Sequence, residues 1–257
     1  MVHVERYHGG DQHAMSGYWG PPTAIANFCE EDYALVFWAA EFVNSFTNLA
    51  YVYYAFKTLD RGESLISTTA FPNLALFFVG VTSFAFHLTM KYDAQIMDDL
   101  SMFWVCAAII YELYTIGRST SVKVAFGSAL TAILGYISAR HYTLNQLWLH
   151  NWTFIILVTA IWPRVLFLIR NRLDGPERMV ARRQFRVGGL CFLAGFLLWL
   201  VDGAYCGPLR SARETLGLPW AFLLEFHGWW HILTSIGAGN CIRVTKVLTG
   251  KTPAVSR

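Results

Sequence analysis

Two histidines, His227 and His231, stand four residues apart in the apolar stretch EFHGWWHIL. On a helix this spacing places both imidazoles on one face, one turn apart, where they could bind one metal ion. Zincin metalloproteases use the same spacing with a glutamate directly after the first histidine as general base. Here Gly228 occupies that place, so any base must come from elsewhere. The pair alone is equally compatible with two imidazoles that hydrogen-bond between packed helices.

Other ionisable side chains lie in apolar segments, where burial is costly and each is a candidate functional residue. They are Glu41, His87, Asp98, Asp99, Asp202 and Glu225. Ser83 joins them by position, because it precedes His87 by four residues and so lies on the same helical face. Its hydroxyl could hydrogen-bond a water or an oxyanion, or it could be an ordinary helical serine.

The elements that must position these side chains are predicted to be membrane helices. Of the 257 residues, 55% are hydrophobic and only 14% are charged, whereas soluble domains contain about 25% charged residues. Stretches of about 20 apolar residues predict transmembrane helices, and seven occur here, which predicts an all-α bundle of seven transmembrane helices. They cover residues 34–56, 71–90, 96–116, 122–139, 148–169, 187–205 and 220–244.

Arginine and lysine indicate the orientation of this bundle, because they accumulate in cytoplasmic loops. Six arginines lie between the fifth and sixth spans, on the same side as the C-terminus: Arg170, Arg172, Arg178, Arg182, Arg183 and Arg186. The chain therefore divides into a lumenal N-terminal segment (1–33), a membrane domain (34–247) and a cytosolic tail (248–257). The net charge of +3 reflects this asymmetry and gives no indication of nucleic-acid binding.

In this topology the second span ends, and the third and seventh begin, on the lumenal side. His87, His227 and His231 therefore share one level of the bundle with Asp98. Three imidazoles with an open position for water form the ligand set of a catalytic zinc site, beside which a carboxylate can act as acid and base. We expect such a site inside the membrane domain; the participation of Asp99 and Asp202 stays open.

An oxygen-rich group precedes the first span in NFCEEDY. It consists of Asn27, Glu30, Glu31 and Asp32, with Glu41 further on. Calcium takes six to eight oxygen ligands, although the spacing here is not that of an EF-hand. Acidic capping of a helix start is the alternative, and it explains Glu30 and Glu31 but not Glu41.

Taken together, these residues resemble the alkaline ceramidases, within the wider group of seven-span hydrolases that includes the adiponectin and progestin receptors. The resemblance rests on Ser83, His87 and Asp98 in TSFAFHLTMKYDAQIMDDL and on the histidine pair in FHGWWHIL. The N-terminal YWGPPTAIANFCEEDYALVFWAAEFVNSFTN is also similar to the ceramidases and separates this chain from the receptors. The similarity extends over nearly the whole chain in order and spacing.

The resemblance implies hydrolysis of the amide bond of ceramide, including phytoceramide or dihydroceramide, in membranes of the endoplasmic reticulum or Golgi. It implies zinc bound by His87, His227 and His231, with Ser83 and Asp98 acting on the water and the transition state. It also implies a structural or regulatory calcium ion, whose ligands would be Asn27, the carbonyl of Phe28, Glu30, Asp32 and Glu41. Asn27 and Asp32 each stand where the family usually has the other residue type, which leaves the number of carboxylates unchanged.

Two cysteines, Cys29 and Cys206, fall on the predicted lumenal side, where disulfides persist. We expect a Cys29–Cys206 bridge that holds the N-terminal segment over the bundle. Substrate would enter from the bilayer, and Trp38, Trp104 and Trp230 are candidates for the pocket wall.

Two other classes of protein share parts of this pattern. A seven-span receptor of the same group would hold a structural zinc ion, and the acidic NFCEEDY segment argues against it. A zinc transporter would distribute its histidines along a path, whereas these share one predicted depth.

Overall fold

The computed structural model describes residues 11–251 as a bundle of α-helices. The helices are α1 (Phe42–Thr47), α2 (Leu49–Lys57), α3 (Phe71–Thr89), α4 (Tyr92–Tyr114), α5 (Thr120–Leu144), α6 (Leu147–Arg172), α7 (Gly175–Ala204), α8 (Cys206–Leu216) and α9 (Phe226–Leu248). Two short 3-10 helices cover Thr68–Ala70 and Trp220–Leu224. Within the described residues the only strand-like pairing is one isolated bridge between Val36 and Ala39.

Four helical stretches are long and apolar enough to cross a membrane. They are Thr68–Thr89, Thr120–Leu144, Leu147–Arg172 and Gly175–Ala204. The other predicted spans coincide with the α1–α2 pair, α4 and α9. Helices α4 and α9 contain 23 residues each but bury several polar side chains, which lowers their apolar character. The chain is therefore an all-helical membrane protein with at least four candidate membrane-spanning helices within the described residues.

The first and last predicted spans begin later than their hydropathy indicates. Helix α1 starts at Phe42, where the Glu30 carboxylate accepts hydrogen bonds from the amides of Val43 and Asn44 at 2.6 and 2.8 Å. Near the C-terminus, Trp220–Leu224 forms a 3-10 helix and α9 begins at Phe226. Helix α8 was not predicted, because it is short and amphipathic rather than uniformly apolar.

The predicted arginine-rich loop between the fifth and sixth spans is mostly helical. Helix α6 continues to Arg172, and α7 begins at Gly175 with Pro176 in its first turn, a position that proline favours. All six arginines therefore lie on helices rather than in a loop: Arg170 and Arg172 in the last turn of α6, and four on the first turns of α7. These four are Arg178, Arg182, Arg183 and Arg186.

The histidine-bearing helix α9 packs most extensively against α7. The two helices approach closely at Gly188 and Gly237, where a Cβ atom added to Gly237 would lie 3.0 Å from the Gly188 carbonyl oxygen and 2.3 Å from a Phe192 ring carbon. Small residues at helix interfaces permit this proximity in membrane proteins. The contact fixes the level and rotation of α9 in the bundle.

We predict that Gly237→Ala destabilises the protein by about 1–3 kcal/mol, the usual cost of overpacking. Gly135→Ala is the matched control, because a Cβ there meets nothing within 4 Å and alanine is the better helix former. Thermal unfolding of both variants in detergent should show a lower midpoint for Gly237→Ala only. Equal midpoints would mean that α7 and α9 tolerate a wider separation.

Candidate functional site

Three histidines from two helices converge inside the bundle. His87 lies on α3, and His227 and His231 lie one turn apart on α9. One ring nitrogen from each lies within 4.8 Å of the other two, and all three side chains are buried. The structure thus brings together the three residues for which the sequence predicts zinc binding.

Hydrogen-bond partners at Nδ1 orient two of these rings. His87 Nδ1 lies 2.6 Å from Glu41 Oε2, and His231 Nδ1 lies 3.0 Å from Thr47 Oγ1. The carboxylate can only accept. The Thr47 hydroxyl already donates to the Val43 carbonyl at 2.8 Å, so it accepts as well. Both imidazoles therefore carry their hydrogen on Nδ1 and present an Nε2 lone pair, which is the arrangement of metal-binding histidines.

The third ring, His227, is held by stacking. Its centroid lies 3.6 Å from that of Phe28, with an interplanar angle of 23°, and its Nδ1 has no hydrogen-bond partner within the described residues. Its neighbour Gly228 explains how Thr47 reaches the site, because a Cβ at Gly228 would already lie 3.3 Å from the Thr47 methyl carbon. Glycine stands there because α9 passes close to α1.

This donor set fits a zinc-class ion. Three buried imidazoles can supply three nitrogen ligands, as in catalytic zinc sites that keep a fourth position open. An orphaned ring nitrogen in such a cluster is a second sign that a ligand belongs here, because buried polar atoms are nearly always paired. His87, His227 and His231 are therefore a candidate metal centre.

Ser83 and Asp98 line a cavity of about 950 Å³ together with His227 and His231. Asp98 is 8% exposed and Ser83 3% exposed, and the serine hydroxyl lies close enough to interact with the carboxylate. The cavity wall is largely apolar. Of the three tryptophans predicted to form it, only Trp230 does; Trp38 and Trp104 are exposed on the outside of the bundle.

The acidic segment lies directly beside the histidines. Glu41 accepts the Phe28 amide at 3.4 Å through Oε1, while its Oε2 faces His87. Asn27 Oδ1 is buried without a hydrogen-bond partner among the described residues, and Asp32 is 1% exposed. Burial raises the pKa of Glu30 well above its ordinary range, and the charges of Glu225 and Glu41 raise it further. Such a group of oxygen donors favours a bound cation.

Clusters of three histidine, cysteine or carboxylate ligand atoms within 4.8 Å of one another occur twice between residues 11 and 251. The acidic segment is not one of them. Its predicted ligand set depends also on an amide and a backbone carbonyl, which such a cluster does not include. Glu30 also caps α1 through the amides of Val43 and Asn44, which is the capping role that the sequence offers as the alternative to calcium binding.

The N-terminal segment is fastened to α8 at Cys29. A disulfide joins Cys29 to Cys206, with Cα atoms 5.2 Å apart. The Cys29 carbonyl accepts hydrogen bonds from Arg210 Nε at 2.9 Å and Arg213 Nη2 at 2.6 Å, and its amide donates to Asp202 Oδ2 at 3.0 Å. Asp202 thus holds the backbone of this segment, a role that the sequence did not indicate.

Asp99 belongs to a second buried cluster with His141 and His150. The two histidines were not among the predicted site residues, although both flank the short turn between α5 and α6. Each lies three residues inside its helix, since α5 ends at Leu144 and α6 begins at Leu147. Because the two helices are antiparallel neighbours, this equal distance from the turn indicates that the two rings lie at the same level.

The fold and site define a class: a helical membrane protein with a buried three-histidine centre that opens onto a large apolar cavity. Comparison with known proteins narrows this class. The family model described as Ceramidase matches residues 20–254. The chain belongs to the ceramidase family and is an amide hydrolase, which decides against the receptor and the transporter considered from the sequence.

Several curated proteins are similar over most of the chain. Alkaline ceramidase 3 of Mus musculus is 29% identical over 230 residues, which cover 86% of this chain and 82% of that protein. Alkaline ceramidase YPC1 of Saccharomyces cerevisiae is 27% identical over 244 residues, covering 87% and 76% respectively. The alkaline ceramidase of Arabidopsis thaliana is 24% identical over 239 residues, covering 87% and 83%.

We predict that Thr47→Val weakens zinc binding by roughly 10–100-fold, because partners of metal-bound imidazoles have effects of this size. Valine keeps the shape of the side chain but cannot accept the His231 Nδ1 hydrogen. Thr47→Ser keeps the hydroxyl and should bind zinc as the wild type does. Competition with a zinc chelator measures both affinities, and equal values for Val and Ser would show that Thr47 does not orient His231.

Proposed function

We propose that this chain is a zinc-dependent ceramidase, regulated by calcium, that hydrolyses the amide bond of ceramide to a sphingoid base and a fatty acid. One observation carries the proposal. Three buried imidazoles converge within 4.8 Å of one another, and two of them share the wall of a large cavity with the Asp98 carboxylate. The family to which the chain belongs supports the same reaction.

His87, His227 and His231 would hold the metal. Zinc in such a site lowers the pKa of water in its open position and polarises a carbonyl oxygen. The protein's part is to keep the three rings neutral and correctly turned. Glu41 and Thr47 do so for His87 and His231 through the Nδ1 contacts of 2.6 and 3.0 Å, while Phe28 holds the plane of His227 by stacking.

Asp98 is the proposed proton carrier. Its carboxylate faces the cavity and would accept a proton from the attacking water, then deliver it to the nitrogen of the departing sphingoid base. General base and general acid steps are each worth about 10²–10⁴ in rate. Ser83 lies on the same stretch of wall, where its hydroxyl would donate to the oxyanion formed at the amide carbon.

The cavity suits a substrate with long acyl chains. Its volume of about 950 Å³ lies at the upper end of ordinary ligand pockets, and apolar side chains of α6 and α7 form much of its wall. A ceramide could place its chains among these helices while its amide meets the polar end. Phytoceramide and dihydroceramide are candidate substrates of this kind.

The proposed topology has seven spans, with the α1–α2 pair, α4 and α9 added to the four strongly apolar stretches. Two of these additional spans carry Asp98 and the two α9 histidines, and Glu41 directly precedes α1. The burial of these side chains inside the bundle is the reason the spans can be more polar. The N-terminus would face the lumen of the endoplasmic reticulum or Golgi, and the C-terminus the cytosol.

The calcium site is proposed at Asn27, the Phe28 carbonyl, Glu30, Asp32 and Glu41. An amide oxygen without a partner, beside buried carboxylates, supports a hard cation there. Because Glu41 contacts both this segment and His87, a bound calcium ion would also stabilise the position of His87.

We predict that Asp98→Asn keeps its bound zinc and loses about 10²–10⁴ in kcat, because only the proton carrier is removed. His231→Ala should lose both zinc and activity. The measurements are metal content by mass spectrometry and sphingoid base released from ceramide by the purified protein in detergent, with calcium present.

Asp93→Asn is the matched control for the aspartate, since Asp93 is an exposed carboxylate on the same helix. It should retain full activity. If Asp98→Asn is as active as Asp93→Asn, Asp98 does not take part in the reaction. If turnover is undiminished after zinc is removed, the reaction does not require the metal.

We predict that Asn27→Ala raises the calcium concentration needed for half-maximal activity while leaving the zinc content unchanged. This variant is chosen over one at Glu41, whose contact with His87 would confound the two metals. Asn171→Ala, an exposed asparagine at the end of α6, serves as control. An identical calcium response in all three proteins would place the calcium ion elsewhere.

A further inference from the structure

The second cluster joins three helices. Asp99 of α4 lies with its Oδ2 2.8 Å from His141 Nε2 of α5 and its Oδ1 3.6 Å from His150 Nε2 of α6. One ligand atom from each residue lies within 4.8 Å of the other two. All three side chains are buried, with His141 fully so. No residue of this cluster belongs to the three-histidine centre.

The orientation of His141 places its Nε2 against the Asp99 carboxylate. His141 Nδ1 donates to the Gln146 carbonyl at 3.2 Å, because a carbonyl oxygen can only accept. A neutral imidazole then has a lone pair on Nε2, and this lone pair points at Asp99 Oδ2 at 2.8 Å. At this hydrogen-bond distance the two acceptors share a proton, which a metal ion would displace on binding, since ligand atoms must lose their protons to bind a metal.

His150 supplies the second observation. Its ring stacks on Phe103 with centroids 5.0 Å apart, and its Nδ1 is buried without a hydrogen-bond partner in the described part of the chain. Its Nε2 lies 3.6 Å from Asp99 Oδ1, which is too long for a hydrogen bond and close to the spacing of two ligand atoms on one tetrahedral zinc ion. Buried imidazoles without partners are uncommon unless a ligand belongs beside them.

Helix α5 indicates what the cluster holds together. Of its 25 residues, only Leu134 and His141 are buried, so this helix has little packing of its own against the bundle. His141 is its one buried polar side chain, and that side chain contacts Asp99 of α4. A bond through this cluster would therefore tie α5 to α4 and α6 where apolar packing is sparse.

We propose that Asp99, His141 and His150 form a second metal site, for a divalent transition metal ion of the zinc class. Two imidazole nitrogens and one carboxylate oxygen are a ligand set that zinc accepts. Asp99 and His150 line the same cavity as Asp98 and His231, so the fourth position would take water or another oxygen ligand from that cavity. The ion would fasten α5 to its neighbours.

Zinc stoichiometry tests this proposal. The purified protein is stripped with a chelator, reloaded with zinc, dialysed, and its metal counted by mass spectrometry. The wild type should hold about two zinc ions per chain. Asp99→Asn and His141→Gln, which keep the size and polarity of the side chain, should each hold about one, and His13→Ala, which removes an exposed histidine, should hold two.

X-ray absorption at the zinc edge identifies the second ion directly. In His231→Gln the three-histidine centre is lost, and the remaining zinc should show two imidazole ligands with oxygen completing the shell. Adding His141→Gln to that variant should abolish it. A His231→Gln protein that holds no zinc would overturn the proposal and leave a proton between His141 and Asp99.

These readouts do not depend on ceramidase activity. Loss of zinc from His231→Gln together with retention in His141→Gln would support the three-histidine centre and reject the second site. Loss of zinc from His141→Gln together with retention in His231→Gln would support the second site and reject the three-histidine centre. The two proposals can therefore fail separately.

Discussion

The contact between Glu41 and His87 links the two halves of the candidate site. Glu41 is fully buried, and its carboxylate receives the His87 imidazole at 2.6 Å, the Asn44 side-chain amide at 3.0 Å and the Phe28 backbone amide at 3.4 Å. A buried carboxylate is tolerated only when such partners compensate its desolvation. The same side chain thus fixes the ring of one histidine, the start of α1 and the path of the N-terminal segment.

The N-terminal segment lies against the histidines because contacts at Cys29 fix its backbone. The Cys29–Cys206 disulfide, the two arginines of α8 that bind the Cys29 carbonyl and Asp202 at the Cys29 amide surround one short stretch of backbone. Arg213 in turn pairs with Glu225 at the start of α9. Helix α8 therefore positions the acidic segment and the histidine-bearing helix together.

Much of this arrangement follows from sequence. The four-residue spacing of His227 and His231 required a common helical face, and the alternation of spans placed His87 and Asp98 at their level. The sequence could not show that Glu41 contacts His87, because that depends on where α1 begins, and the Glu30 cap delays its start to Phe42. Helix α8 lacks the long apolar run by which the spans were recognised. The sequence does not single out His141 and His150, because each is the only histidine in its helix and the turn between the two helices brings the rings together.

Adjacent carboxylates on α4 serve two different sets of partners. Successive residues of a helix point about 100° apart, so Asp98 and Asp99 cannot face the same neighbour. Asp98 lies beside Ser83 and the three-histidine side of the cavity, while Asp99 contacts His141. A shift of α4 by one residue would put one aspartate in the position of the other and turn the second away from both groups. Two successive aspartates on α4 therefore allow this one helix to contact imidazoles on two sides of the same cavity.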